Sequence, residues 1–440
     1  MTDQHEAEPP AASPATATTQ DAAAPEPAQP RGRLPLTGNM IIQAVTEGHS
    51  VVLTILAVFV ALLAGAVLIV ASDPTVLHAW ASFSYAPGAA FSDTWSSVAA
   101  AYSALFEGSV FSPATVSAAF HGGSIAAIFY PLSLTAFEAT PLILTGLSVA
   151  VAFRAGMFNI GAAGQWVGGA VVATWLGYAV HLPIVLHAVV CIVGAFAGGA
   201  LIGWIVGFVK ARTGAHEVIL TIMLNYVMYN FLAFVLTSHN LMQAPGQSNA
   251  VAPNIAGSAT LPHVGGPPPQ VGVGFLIALA AAAATAWLLS RSTLGFQFRT
   301  VGASPSAARS AGISVERVWV LAFLIAGGLA GLSAATIVQG QPAPLTTNSY
   351  GTYGFDGITV ALLGRSRPFG VVLAGLLFGA LNGGGTVMEA ATGVPADVVD
   401  VIKGLIVLLV AAPPLIRLLF RLRGTGGTGP QAVAPKGWSA

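Results

Sequence analysis

The sequence predicts an all-α, polytopic membrane helical bundle of about ten transmembrane helices, and three observations carry that prediction. Only 7% of its 440 residues are charged, against about 25% in soluble domains, while 55% are hydrophobic and the mean hydropathy is +0.77. Apolar runs of about 18 residues or more recur along the chain, the length a helix needs to cross hydrocarbon. The arginines fall on alternate junctions between those runs, as orientation by positive charge requires.

The runs place spans at about 51–71, 130–152, 158–180, 183–209, 217–237, 271–290, 317–338, 350–364, 369–388 and 399–420. Arg31 and Arg33 precede the first span, Arg154 follows the second, and Lys210 and Arg212 follow the fourth. Arg291, Arg299, Arg309 and Arg317 surround the sixth-to-seventh junction, Arg365 and Arg367 follow the eighth span, and Arg417, Arg421 and Arg423 close the tenth. All lie on one side, which predicts ten spans with both termini cytoplasmic. Lys403, just inside the last span beside Asp400, is the exception and is expected to pair locally or snorkel. The eighth span is short, with a dozen or so apolar-leaning residues after Pro342 and Pro344, so it is expected to be broken or re-entrant.

Three segments follow. Residues 1–44, rich in Ala, Pro, Thr, Glu and Gln, form an expected disordered cytoplasmic tail, 45–422 the transmembrane domain, and 423–440 a second disordered cytoplasmic tail. The N-terminal stretch lacks the basic start and short apolar core of a signal peptide, so the first span is expected to be an uncleaved anchor. The zero net charge gives no nucleic-acid footprint. The single cysteine, Cys191, allows neither an internal disulfide nor a thiolate metal cluster.

The stretch Phe153–Gln165 breaks the apolar pattern with Arg154, Asn159, Gln165 and closely spaced glycines. Such groups are tolerated at membrane depth only when protein buries them or they line a wet path. Small residues at Gly164/Gly168, Gly199/Gly203/Gly207, Gly327/Gly331 and Gly375/Gly379 suit close helix contacts. A short echo relates Val149–Arg154, with Phe158 after it, to Val360–Arg365, with Phe369 after it.

Catalytic patterns are missing. None of Lys210, Lys403 and Lys436 precedes Ser or Thr, so no phosphate-binding loop of the ATPase type is present. No histidine follows His216-Glu217 at metalloprotease spacing, and no Gly-x-Ser-x-Gly elbow sits at a strand-to-helix turn. The carboxylates Glu138, Asp356, Glu389, Asp397 and Asp400 count to the outer ends of spans and Glu217 to an inner end. Deep charge is therefore not expected, which argues against ion coupling and moves the energy source to another polypeptide.

An outside motor needs a docking element. In Gly302–Ile313, Ser304 can cap a helix, Pro305 suits its first position, and Gly312 can end it in the left-handed conformation. A helix of about two turns is expected, with Gly302, Ser304, Pro305, Ala308, Arg309 and Gly312 as the coupling residues; an ordinary capped turn is the competing reading.

Phe158–Gln165, Glu217–Tyr226, Gly302–Ile313 and Gly354–Arg365 together resemble the permease subunits of bacterial ABC importers, the branched-chain amino-acid/ribose-type family, in its nucleoside and simple-sugar branch. The four motifs stand in the family's order, across about residues 50–420. The resemblance implies a multi-pass protein of the bacterial cytoplasmic membrane without an ATPase motif of its own. It also implies three partners: a second, often non-identical permease, a cytoplasmic ATPase that uses the ATP, and an extracytoplasmic binding lipoprotein. No cofactor or metal would be held by this chain. Ala163 stands where the family usually has Glu, and Ser304 where it often has Asn.

For a nucleoside, a path needs amides and hydroxyls for the sugar and aromatic faces for the base. Asn159, Gln165, Asn225, Tyr226, Phe355 and Asn382 are the candidates, with helix–helix hydrogen bonding or packing the competing reading for each. A simple-sugar permease of the same architecture and a self-sufficient secondary carrier remain the alternatives.

Overall fold

The structure, a computed structural model, describes residues 50–122, 125–262, 272–341, 343–412, 415–416 and 419–420. The two terminal tails expected from composition, and the arginines on them, lie outside the described residues. Fifteen helices make up nearly all of what is described, with one isolated antiparallel bridge between Val251 and Thr346 and no sheet among the described residues.

In chain order the helices are α1 (Ser50–Ser72), α2 (Pro74–Ala81), α3 (Pro87–Ser109), α4 (Pro113–Phe120), α5 (Tyr130–Arg154), α6 (Ala162–Ala179), α7 (Ile184–Thr213) and α8 (Glu217–Thr237). After them come α9 (Val273–Arg291), α10 (Thr293–Ala303), α11 (Pro305–Ser310), α12 (Val315–Val338), α13 (Tyr353–Leu363), α14 (Pro368–Thr392) and α15 (Asp397–Ala411). Seven of them, α1, α5, α7, α8, α9, α12 and α14, are long and apolar enough to cross a membrane.

Every expected span falls on a helix, but three fall short of that standard. The third is the 18-residue α6, diluted by glycines and Gln165; the eighth is the 11-residue α13; the tenth is described as the 15-residue α15. One long helix was not foreseen. The 23-residue α3 packs on α14, yet its Asp93, Glu107 and interspersed serines hide it from an apolar-run search.

The sequence explains the helix ends. Proline opens α2, α3, α4, α11 and α14, where its missing N–H would have had no helical partner. Gly214 and Gly393 close α7 and α14 at φ 70° and 73°, a conformation that costs side-chain-bearing residues. Inside α5, the Pro141 carbonyl accepts from Thr145 Oγ1 at 2.8 Å and from Ser333 Oγ on α12 at 3.1 Å, so the proline site also ties two helices together.

Three packing groups result. The largest joins α5 to α9–α14 around Leu142, Ile143, Leu147, Phe298, Phe323 and Phe378. A second unites α6, α7, α8 and α12 around Trp166, Leu232 and Leu236. The third sets α1 and α15 against α3 and α14. On α1, Ala57, Ala61 and Ile69 are buried while Ile55, Phe59, Leu63 and Val67, four residues apart, are exposed. That exposed stripe suits lipid rather than water.

Between α7 and α12 the backbones touch. A methyl on Gly199, Gly203, Gly327 or Gly331 would run into a carbonyl of the facing helix, and α6 joins them through Gly169 against Gly331 and Gly168 against Gly198. The glycines expected to serve close helix contacts do so.

Candidate functional site

The glycine-rich break between α5 and α6 is fully packed. Asn159 and Gln165, both 0% exposed, bond each other: Asn159 Nδ2 donates to Gln165 Oε1 at 2.8 Å and Gln165 Nε2 to Asn159 Oδ1 at 3.2 Å. Asn159 also donates to Ser148 Oγ and accepts from the Gly161 amide. Asn225 on α8 staples the same turn, accepting from Gly164 N at 2.8 Å and donating to the Ile160 carbonyl at 3.0 Å. Three of the six path candidates thus hold the break closed, and their amide groups are committed to protein. Sequence could not show this, because Ser148 and Asn225 approach from other helices.

The other three lie apart from that staple. Tyr226 on α8 is 60% exposed with its ring nearly perpendicular to that of Tyr229, Phe355 on α13 is 52% exposed, and Asn382 on α14 accepts from Lys403. Ala163 sits where α13 approaches α6 so closely that a Cβ on Gly354 would lie 2.5 Å from that of Ala163. A longer side chain at residue 163 would have to displace α13 or turn away from it.

At the arginine-bearing end the break meets the expected docking helix. Gly156, at φ 75°, packs directly on Gly302, whose own Cβ position is filled by the Arg154–Gly156 backbone. Arg154 Nε donates to the Ser366 carbonyl at 3.1 Å, which joins the two arginine-ended segments of the sequence echo. Arg365 and Ser366 adopt left-handed φ angles of 54° and 50°, unfavourable for residues with side chains and supported here by the surrounding contacts. Glu217 closes the same region, pairing with Lys210 at 2.6 Å and accepting from Phe158 N at 3.4 Å.

The helix expected to dock is α11. Ser304 Oγ caps it by accepting from Ala307 N, Pro305 takes the first position, and Gly312 ends it at φ 78°. Pro305, Ser306, Ala307, Arg309, Ser310 and Gly312 are exposed, and Arg309 pairs with Glu316 at 2.8 Å. Ala308 needs correction as a docking contact. It is 0% exposed and belongs to the large apolar core, so it seats α11 on the bundle instead of facing a partner. An alanine-rich helix carries no amphipathic pattern from which its buried face could be read.

A second correction concerns interior charge. Lys403 on α15 is only 5% exposed, and its Nζ lies 2.6 Å from Asp400, 2.8 Å from Asn382 Oδ1 and 3.6 Å from Asp356. The expected pairing with Asp400 is present, but the lysine also bridges α13 and α14. Glu138 on α5 lies against the Asn382 amide within the field of Lys403. Glu138 stands eight residues into α5 and Asn382 ten residues before the end of α14, about 12 and 15 Å along their helices. Buried charge is therefore present at Lys403, against expectation, although Asp356, Asp397 and Asp400 do lie in the first turns of their helices, as the linear count placed them.

Residues 131–411 match the family described as the branched-chain amino acid transport system permease component. The chain belongs to this family. Among its relatives, the guanosine ABC transporter permease protein NupP of Bacillus subtilis is 36% identical over 333 residues, 73% of this chain and 88% of the relative. The nucleoside ABC transporter permease protein NupB of Lactococcus lactis is 33% identical, covering 63% of this chain and 78% of its own length. A glucose ABC transporter permease protein of Haloferax volcanii is 35% identical, over 62% of this chain and 73% of the relative. No solved structure matches. The protein is therefore a multi-pass membrane transport component of the ABC permease type, and its family, not a lack of interior charge, now carries that conclusion.

Proposed function

We propose that this chain is the membrane-spanning subunit of an ATP-driven importer for nucleosides in a bacterial cytoplasmic membrane. The observation that carries the reading is the relationship to the guanosine and nucleoside permeases across most of the chain. The packing of Gly156 on Gly302, at the end of α10 just before α11, supports it by giving motion at α11 a short route into the break at Phe153–Gln165. In this reading the chain has ten spans, with α6, α13 and α15 completing the seven longer ones, and both termini lie in the cytoplasm.

The partners follow. A cytoplasmic ATPase binds the exposed face of α11 and consumes the ATP, and a binding lipoprotein delivers solute at the opposite end. A non-identical second permease completes the pair; that Bacillus subtilis has two guanosine permease proteins related to this chain, NupP and NupQ, favours a heterodimer. ATP binding draws on α11, and α11 displaces the turn held by Asn159, Gln165 and Asn225. A bundle with two discrete packings then alternates its opening.

A simple-sugar substrate is the second reading, favoured by the glucose permease relative and by the D-allose permease of Escherichia coli at 28% identity. Uptake of labelled guanosine, adenosine, ribose and glucose by cells with and without the chain decides between them. Loss of nucleoside uptake alone supports the first reading, and loss of sugar uptake alone replaces it with the second.

A further inference from the structure

The network around Lys403 has more acceptors than donors. A lysine has three N–H donors, and here they face Asp400, Asn382 and Asp356. None remains for Glu138, which has the Asn382 amide beside it. Thr352 Oγ1 donates to Asp356 Oδ2 at 2.7 Å, and the Tyr353 hydroxyl lies within the field of Glu138 and Asp356. Three carboxylates, each with about four lone-pair sites, still exceed that supply. Among the described residues no group of three or more His, Cys, Asp or Glu is arranged to hold a metal ion, so the surplus acceptors are spread too widely to close on one.

A separate observation lies next to it. The indole N–H of Trp166 is fully buried and has no hydrogen-bond partner, although buried donors almost always find one. Its ring lies 6.3 Å from that of Tyr353, with the planes 29° apart. The region therefore combines surplus acceptors, an unused donor and flat aromatic faces. Ionisable groups buried inside a spanning bundle are costly and ordinarily mark a substrate or ion route.

We infer that this network is the polar subsite of the solute route, with Glu138 and Asp356 accepting from the vicinal hydroxyls of a neutral ring such as ribose. The 3.6 Å contact between Lys403 and Asp356, the longest of the three, is the one that yields as a hydroxyl enters. The inference deepens the nucleoside reading and rests on it.

The test uses the assembled transporter in liposomes, with its ATPase, second permease and binding protein. Guanosine and 2′,3′-dideoxyguanosine are each presented at saturation on the binding protein, so that the rate reports the membrane step. Hydrogen bonds to charged groups discriminate by about tenfold or more. Wild-type complex should therefore move guanosine at least about tenfold faster than the dideoxy analogue, and Asp356→Asn and Glu138→Gln should bring that ratio to within about twofold. Copurification with the ATPase checks that each variant assembles. A wild-type ratio near one, or a ratio preserved in both variants, overturns the subsite. If wild type moves no nucleoside at all, the nucleoside reading fails instead, and ribose against 2-deoxyribose applies the same criteria to the subsite.

Discussion

Two regions of the bundle are built by opposite means. In α6, α7 and α12, glycines bring backbone against backbone, and no ionisable group lies between them at Gly168/Gly198, Gly199/Gly327 and Gly169/Gly331. In α5, α13, α14 and α15 the helices meet through Glu138, Asp356, Asn382 and Lys403. Backbone contacts have one good spacing and resist sliding. Polar contacts can be exchanged for a solute's hydroxyls at modest net cost, because each lost bond is replaced. The difference assigns rigidity to the first region and exchange to the second.

The largest effect should come from removing the cation in the exchangeable region. Lys403→Met leaves Asp356 buried without its counter-charge, a loss of about 3–5 kcal/mol for a buried pair, although the 58% exposure of the Asp400 side chain lets water reclaim that partner. The thermal midpoint of detergent-purified protein should fall sharply, and the double variant with Asp356→Asn should recover part of the loss. In the rigid region, Gly331→Ala drives a methyl into the Ala195 carbonyl, and overpacking of this kind costs about 1–3 kcal/mol. Gly404→Ala on α15 meets nothing within 4 Å and should be neutral or slightly stabilising in the same melt. Equal effects at the two glycines would erase the distinction between the regions.

Asn159→Leu strands Gln165 and the Gly161 amide without their partner, at about 1–3 kcal/mol for unsatisfied buried groups. Uptake should fall while the chain still inserts and copurifies; normal uptake would remove the break from the coupling route. Smaller still, Ser304→Ala removes the α11 cap, at about 1 kcal/mol. Arg309→Glu changes an exposed charge whose solvent-screened pair with Glu316 adds little to stability, so weakened ATPase copurification in that variant reports docking and not folding.

The least effect is expected at Asp73, outside the spans, where the Thr75 and Ser97 hydroxyls hold its carboxyl below the usual range. A carboxylate with a lowered folded pKa adds stability above its unfolded pKa and loses it as pH falls through the folded one. Asp73→Asn should therefore melt closer to wild type in acid than at neutral pH.

Much of this was legible in the chain. Composition and apolar runs located α8 at 217–237 to the residue, and the Ser304, Pro305 and Gly312 signals located α11, because both depend on local chemistry. Features that need distant residues were not legible. Lys403 meets Asp356 from 47 positions away, and no local pattern marks that meeting. The closure of Asn159 depends on Ser148 and Gln165, and the inward face of Ala308 depends on a core assembled from nine helices. The mixed polar and apolar sequence of α3 matches no span pattern, because its packing partner, α14, is needed to explain its small buried residues.

Purified chain in liposomes, with and without its ATPase, second permease and loaded binding protein, tests the central claim most directly. The account predicts that labelled nucleoside accumulates only in the complete assembly supplied with ATP. Accumulation against a gradient by this chain alone, with any imposed ion gradient, would contradict it.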